Sequence, residues 1–326
     1  MTTMTHDAPQ GVHGSRMSGG LVIALVSALS FGLSGAVGRG LLDAGWSSGA
    51  VTLVRVGLGA AIVLPIGVRA LHGRWHLLRR SAGTVVAYGV LGVAGAQFCY
   101  FSAIQYMQVG PALMIEYTGP AAVVVWMWLR HGQRPSRLTF AGAAVAGVGL
   151  VLVLDVVSGA DVSLVGVLWA LGAMVGLAAY FVISGSHDNG LPPMSLAAGG
   201  LVVGGVLLGV LGLVGLLPMT GTTADAVYDG RAVDWWVPLV VLGVFSAAVA
   251  YVTGIEASRR LGSRLASFVG LTEVLAAVAF AWLLLDELPG PLQLAGGVLV
   301  LAGVVVVKLG EQDVAAVVDR PEPTPA

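Results

Sequence analysis

Charge is what this sequence has least of. Aspartate, glutamate, lysine and arginine together make up 10% of its 326 residues, where an ordinary soluble domain carries roughly 25%. With 57% hydrophobic residues and a mean hydropathy of +0.91, most of the surface must face something other than water. The net charge is −1, and the basic residues fall in short clusters between apolar runs, a pattern without the electrostatic footprint of a nucleic-acid binder. There is one cysteine, Cys99, inside an apolar run, which excludes an intramolecular disulfide and a multi-cysteine metal site. Its thiol should pack as a small hydrophobe. No cofactor is called for, and no G-x-x-x-x-G-K-S/T loop exists to hold a nucleotide, so any energy has to come from an ion or substrate gradient. Catalytic groups are scarce too. Gly32-Leu33-Ser34-Gly35 has the form of a serine-protease tetrapeptide, but a serine nucleophile needs a base. All six histidines (His6, His13, His72, His76, His131, His187) lie in tails or loops, and no lysine lies in mid-span. The expectation is a non-enzyme.

What is abundant is long apolar runs. A bilayer core about 30 Å thick needs roughly 20 apolar residues at 1.5 Å each. Ten runs qualify, near 19 to 39, 48 to 68, 84 to 106, 109 to 129, 138 to 154, 163 to 184, 194 to 217, 235 to 256, 264 to 285 and 291 to 308. Loops such as HGRWHLLRRSAG, RHGQRPSR and DAVYDGRAVDW separate them with charge, glycine and proline. The polar residues 1 to 18 precede a run too long for a signal peptide. Both this N-tail and the C-tail, 310 to 326, are expected to be disordered and cytoplasmic.

Lysine and arginine are retained on the cytoplasmic side of a membrane. With the N-terminus inside, the cytoplasmic segments collect Arg16, Arg69, Arg74, Arg79, Arg80, Arg130, Arg134, Arg137, Arg259, Arg260, Arg264, Lys308 and Arg320, against Arg39 and Arg231 outside. The expectation is a multi-pass protein of the inner (plasma) membrane with both termini cytoplasmic.

The two halves resemble each other. LTFAGAAVAGVGLVLVL (138 to 154) lies over LQLAGGVLVLAGVVVVK (292 to 308), and YFSAIQYMQVG (100 to 110) over YVTGIEASRRLG (251 to 262), pairing Tyr100 with Tyr251. Five spans per half is an odd number, which turns the second half upside down, as in many secondary transporters. The fold expected is therefore all-α and integral to the membrane: ten transmembrane helices as two inverted five-helix repeats, 19 to 155 and 162 to 309.

Two stretches, YFSAIQYMQVGPALMIEYTGPAAVVVWMWLRHGQRPSRLTFAG and GSRLASFVGLTEVLAAVAFAWLLLDELPGPLQLAGGVLVLAGVV, make the chain resemble the EamA-type transporters of the drug/metabolite transporter superfamily, over roughly 19 to 309. The second stretch is similar to the closing signature of that family, although Glu273-Val274 stands where many relatives have Glu-Pro. The resemblance implies a central cavity between the halves and transport of amino acids or related metabolites, often outward.

Three ionisable residues lie well inside spans: Arg55, Glu116 and Glu273. Each would cost about 2.5 to 3.5 kcal/mol near the bilayer centre, so each should face a cavity or a partner. Arg55 and Glu116 both sit about 10 Å below the outer surface and could pair, either as a permanent bolt or as a pair that opens to a zwitterionic substrate. Glu273 has no evident basic partner in the sequence. A carboxyl alone in a low dielectric resists ionisation, which suits proton coupling, shared with Glu116, or a hydrogen bond to a neighbouring helix. Glu256, at a helix end, should snorkel to water. Cavity-lining candidates are Ser30, Ser34, Gln97, Tyr100, Tyr117, Thr118, Tyr180, Ser246, Tyr251 and Thr272; of these Tyr100, Tyr117, Tyr251 and Thr272 join Arg55 and Glu116 as substrate-binding candidates. Pro120 removes the backbone bond to the Glu116 carbonyl and should kink its helix. Gly200 with Gly204 and Gly205 with Gly209 make small-residue faces for close helix contact, within the chain or between two copies in a homodimer.

Together these features predict a secondary transporter that moves a small polar metabolite by alternating access. Export of an amino acid leads, with nucleoside or sugar uptake and cationic-drug efflux as alternatives. A non-transporting receptor or scaffold is the rival class, but no loop exceeds about 20 residues, which leaves a partner little surface to read.

Overall fold

The computed structural model of the protein describes residues 11–119, 136–154, 163–185 and 190–318. In lipid the backbone must satisfy its own polar groups, and apolar runs of this length do so as helices. In chain order these are α1 (Gly11–Asp43), α2 (Ser48–Leu71), the short α3 (Trp75–Arg80), α4 (Ala82–Ala103), α5 (Val109–Glu116), α6 (Arg137–Val153), α7 (Leu164–Gly185), α8 (Pro193–Leu213), α9 (Trp236–Gly262), α10 (Leu265–Leu285) and α11 (Pro291–Val318). Among the described residues seven helices are long and apolar enough to cross a membrane: α1 from Gly19, α2, α4, α7, α8, α9 and α10. α6 and the Pro291–Val307 part of α11 are shorter apolar helices. The predicted span at 109 to 129 is described only as far as Gly119, so Pro120, and with it the expected kink, lies outside the described residues.

Several starts follow from local chemistry. Ser47 and Ser136 accept backbone bonds from Ala50 and Thr139 at the heads of α2 and α6, and prolines occupy the first position of α8 and α11. α9 and α10 meet at Gly262, whose φ of 79° is open to glycine. Two expectations need correcting. Helical backbone begins at Gly11 and runs to Val318, well into both tails expected to be disordered, because a helix nucleated by a span propagates into its flanks at small cost. The expected all-α fold also gains an antiparallel hairpin between α8 and α9: β1 (Ala226–Tyr228) and β2 (Arg231–Val233). It turns on Asp229-Gly230, both with positive φ, the sequence favoured in a two-residue hairpin loop.

Helices from the first half of the chain pack chiefly on helices from the second: α6 on α11, α2 on α8, α1 on α9 and α10, and α4 and α5 on α7. The α6–α11 contact is backbone to backbone. A Cβ added to Gly149 would stand 2.6 Å from the Gly296 carbonyl oxygen, and one on Gly296 would stand 2.6 Å from that of Gly149. Gly142 and Gly303 oppose each other in the same reciprocal way. Since 142 meets 303 while 149 meets 296, the two helices run antiparallel. α2 and α8 do likewise, Gly67 meeting Ala198 and Gly205 meeting Val56. Gly200 and Gly204 lie against Tyr88 and Val93 of α4, so these glycine faces are used inside the chain. Cys99 packs against Gly172 of α7.

α4 and α9 share a wide-turned π-helical segment, at Tyr88–Gly95 and Leu242–Val249. The two segments are 154 residues apart, the offset that also superposes α6 on the start of α11. In that register Tyr251 matches Gln97, not Tyr100.

Candidate functional site

The wide turns of α4 and α9 loosen the backbone in the middle of the bundle, and each is reached by a side chain from the opposite half. The Tyr251 hydroxyl donates to the Gly92 carbonyl over 3.2 Å. Arg55 donates to the Ser246 carbonyl, and Gly92 and Ser246 are equivalent at the 154 offset. Two further bonds cross at the same level, Ser246 Oγ to the Ser30 carbonyl (2.8 Å) and Ser27 Oγ to the Ala250 carbonyl (2.9 Å).

Beside these bonds lies a cavity with about 530 Å³ of empty space, counting its open part. Glu116, Glu273 and Gln97 line its middle, and Phe31, Tyr180 and Tyr251 form an aromatic wall. The rings meet edge to face, with centroids 5.0 Å apart for Phe31 and Tyr251, and 5.8 Å for Phe31 and Tyr180. The cavity extends past Ala24, Ser258 and Ala266, toward the face of the bundle where α1 enters.

The expected residues are distributed unevenly around it. Glu116 lines the cavity, is 5% exposed, and has one carboxylate oxygen, Oε2, with no hydrogen-bond partner. Glu273 also lines it and accepts a 2.8 Å bond from the Tyr117 hydroxyl, a link between the halves. Arg55 is fully buried and makes no ion pair with Glu116; ion pairs form between Arg39 and Asp43 and between Arg260 and Glu256. Instead its guanidinium donates to Gln97 Oε1 and the Ser246 carbonyl and lies over the Phe101 ring, 5.6 Å from its centroid. Glu273 and Glu116 remain within its electrostatic reach. The planar fork explains the difference: an arginine can satisfy two fixed oxygens at once, and α9 brings a carbonyl that sequence spacing does not reveal. Tyr100 is buried outside the cavity with its hydroxyl against Gly35. Thr272 spends its hydroxyl on the Val269 carbonyl of its own helix (2.7 Å) and does not line the cavity, as threonines in helices often do. Phe31, Ser27, Phe181 and Ser258 line the cavity without having been singled out. Their sequence signal is weak, because apolar and small residues in a span read as packing.

At the opposite face the halves are tied together: Tyr228, on the hairpin, donates to the Val37 carbonyl of α1 (2.6 Å), Glu287 accepts from Val109 N–H (3.3 Å), and Trp46 stacks on Trp235. Each half is braced there by a bond of its own, Arg39 to the Ile104 carbonyl in the first and Asp229 N–H to the Leu284 carbonyl of α10 (2.7 Å) in the second. Burial beside Asp43 holds the Tyr228 phenol above its usual titration range, so it stays a donor at any physiological pH. Tyr228→Phe is expected to loosen this seal. With Cys99→Ala as background and Val37→Cys as reporter, labelling by a membrane-impermeant maleimide from the hairpin face should rise roughly threefold to tenfold, the worth of one net hydrogen bond. Unchanged labelling would mean that the hairpin holds nothing shut.

Residues 18–155 match the EamA-like transporter family, and residues 164–309 match it a second time. The chain is 27% identical over 302 residues to the threonine/homoserine exporter RhtA of Escherichia coli (strain K12), covering 89% of this chain and 90% of that one. It is 29% identical over 269 residues to the probable terminal-alkyne amino-acid exporter of Streptantibioticus cattleyicolor, covering 81% and 83%. A solved crystal structure superposes with a TM-score of 0.59 at 20% identity, over 93% of this chain and 99% of its own, a likeness of fold alone.

Proposed function

The chain belongs to the EamA-like transporter family, a multi-pass membrane family of the drug/metabolite transporter superfamily, and from that premise we propose that it exports a small amino acid across the cell membrane by alternating access. The observation that carries this reading is the placement of the cavity. It lies between the halves, holds two carboxyl groups, continues toward one face, and is shut off from the other by the Tyr228–Val37 and Glu287–Val109 bonds, which join the first half to the second.

The architecture behind it is ten spans in two inverted five-helix repeats. Two family matches in one chain support the repeat, and the reciprocal antiparallel contacts of α6 with α11 support the inversion. The arginine distribution supports a cytoplasmic location for both termini and the mouth of the cavity. Rocking of one half on the other would break the Tyr228 and Glu287 contacts and close the aromatic wall. The substrate class rests on the relatives, a threonine/homoserine exporter and a probable terminal-alkyne amino-acid exporter, together with carboxylates able to hold an ammonium group.

Proton coupling is assigned to Glu273. Its bond to Tyr117 spans the halves, so rocking frees the carboxyl to exchange a proton once per cycle. The test is reconstitution into proteoliposomes with labelled threonine, homoserine and a wider metabolite panel, with and without a pH gradient. Threonine or homoserine should move by counterflow, and the gradient should accelerate it. Glu273→Gln is expected to retain counterflow while losing the acceleration. If that variant leaves both rate and gradient dependence unchanged, the coupling role is wrong; if no amino acid moves, the export reading fails.

A further inference from the structure

The cavity holds two carboxyl groups, and among the described residues lining it there is no lysine, arginine or histidine. Arg55, a cation within electrostatic reach of both, is committed to Gln97, the Ser246 carbonyl and the Phe101 ring and does not line the cavity. The carboxyl groups differ in one respect. Glu273 already has a donor in Tyr117, whereas Glu116 is buried with an oxygen that has none. A buried charge-bearing acceptor left empty is costly unless something fills it. Phe31, Tyr180 and Tyr251 line the same cavity, and aromatic rings attract a cation. The neutral hydroxyl of Ser258, fully buried in the cavity lining and also without a partner, is a donor that serves a carboxylate, an ester or an amide alike.

Resting on the amino-acid reading above, we propose that the cavity selects its substrate by the primary ammonium group, which Glu116 accepts, and that the substrate's carboxylate is not required. The transported class is then primary amines of amino-acid size, including amino-acid esters and amides, and not amino acids alone. Glu116 acts as the binding acceptor, and Glu273 keeps its separate role across the halves.

Purified protein tests this by ligand-induced shifts in melting temperature and by competition against labelled threonine in counterflow. The probes are threonine, threonine methyl ester and N-acetylthreonine, which keep both charged groups, the ammonium alone and the carboxylate alone. The ester is expected to bind within about threefold of threonine, and the N-acetyl compound at least about tenfold more weakly. Glu116→Gln should weaken threonine and its ester together by about tenfold or more, and Glu116→Asp, which keeps the charge, should restore part of that loss if the amide variant folds poorly. Equal binding of N-acetylthreonine, rejection of the ester, unchanged affinity in Glu116→Gln, or no binding of any of the three would overturn the proposal. Binding without counterflow would instead count against transport and leave the ammonium site standing, so the two failures are separable.

Discussion

Gly149→Ala is expected to lower the melting temperature of the detergent-solubilised protein by about 5 °C or more, while Gly147→Ala, two residues along the same helix, should leave it unchanged or slightly raised. Both substitutions add one methyl group and the same helix propensity, worth roughly 0.5 to 1 kcal/mol in favour of alanine. At Gly147 the new carbon meets nothing within 4 Å, whereas at Gly149 it would meet the Gly296 carbonyl oxygen and the Val300 nitrogen at 2.6 Å. Those are backbone atoms of another helix and cannot rotate away, so α6 and α11 must separate. Overpacking of a rigid contact costs typically 1 to 3 kcal/mol and sometimes more, and here it falls on the seam between the halves. Gly296→Ala should behave like Gly149→Ala, and the double variant should lose less than the sum, because the first separation makes room for the second methyl. Equal melting temperatures for the two α6 variants would show that the seam is not packed this closely.

Arg55→Ala should abolish transport and destabilise the protein by about 3 kcal/mol or more. The substitution strands Gln97 and the Ser246 carbonyl, removes the cation from Phe101, and takes away a positive charge within reach of Glu116 and Glu273. If that last effect matters, Arg55→Ala combined with Glu116→Gln should be more stable than Arg55→Ala alone. Arg55→Lys should fall between, since an ammonium cannot reproduce the fork that spans an amide oxygen and a carbonyl. The measurement is thermal melting of all four proteins with counterflow alongside. A double variant no more stable than Arg55→Ala would mean that Arg55 serves only its neutral partners.

Much of this was legible beforehand because the bilayer imposes a length rule on every span. The described ends of α2, α6, α7, α8 and α10 fall within a few residues of the apolar runs, except that α8 stops at Leu213 and hands the rest of its run to the loop. Glu116, Glu273, Gln97, Tyr180 and Tyr251 were marked as costly or polar in lipid, and all five line the cavity. Ser30, Ser34, Tyr117, Thr118 and Ser246 stand out on the same grounds and do not line it, nor do Arg55, Tyr100 and Thr272. Cost in lipid demands a partner without saying which, and theirs are a carbonyl of a helix in the other half, a close glycine, and the residue's own helix. Asp229-Gly230 carried a hairpin signal between the short runs AVY and RAV, obscured by the helical character of everything around it.

Hydropathy and charge distribution are properties of the chain read one residue after another, and they were enough to determine an integral membrane protein of two similar halves with a few ionisable groups held in lipid. Contacts between residues 150 or more apart are not, and only the tertiary structure decided them. It gave Arg55 its neutral partners, joined Tyr117 to Glu273, left an oxygen of Glu116 empty, and used the hairpin to seal one face. The reason is geometric: within a helix each residue's neighbours follow from its number, but across the seam they depend on how closely glycines let two backbones approach and on where a wide π turn releases a carbonyl.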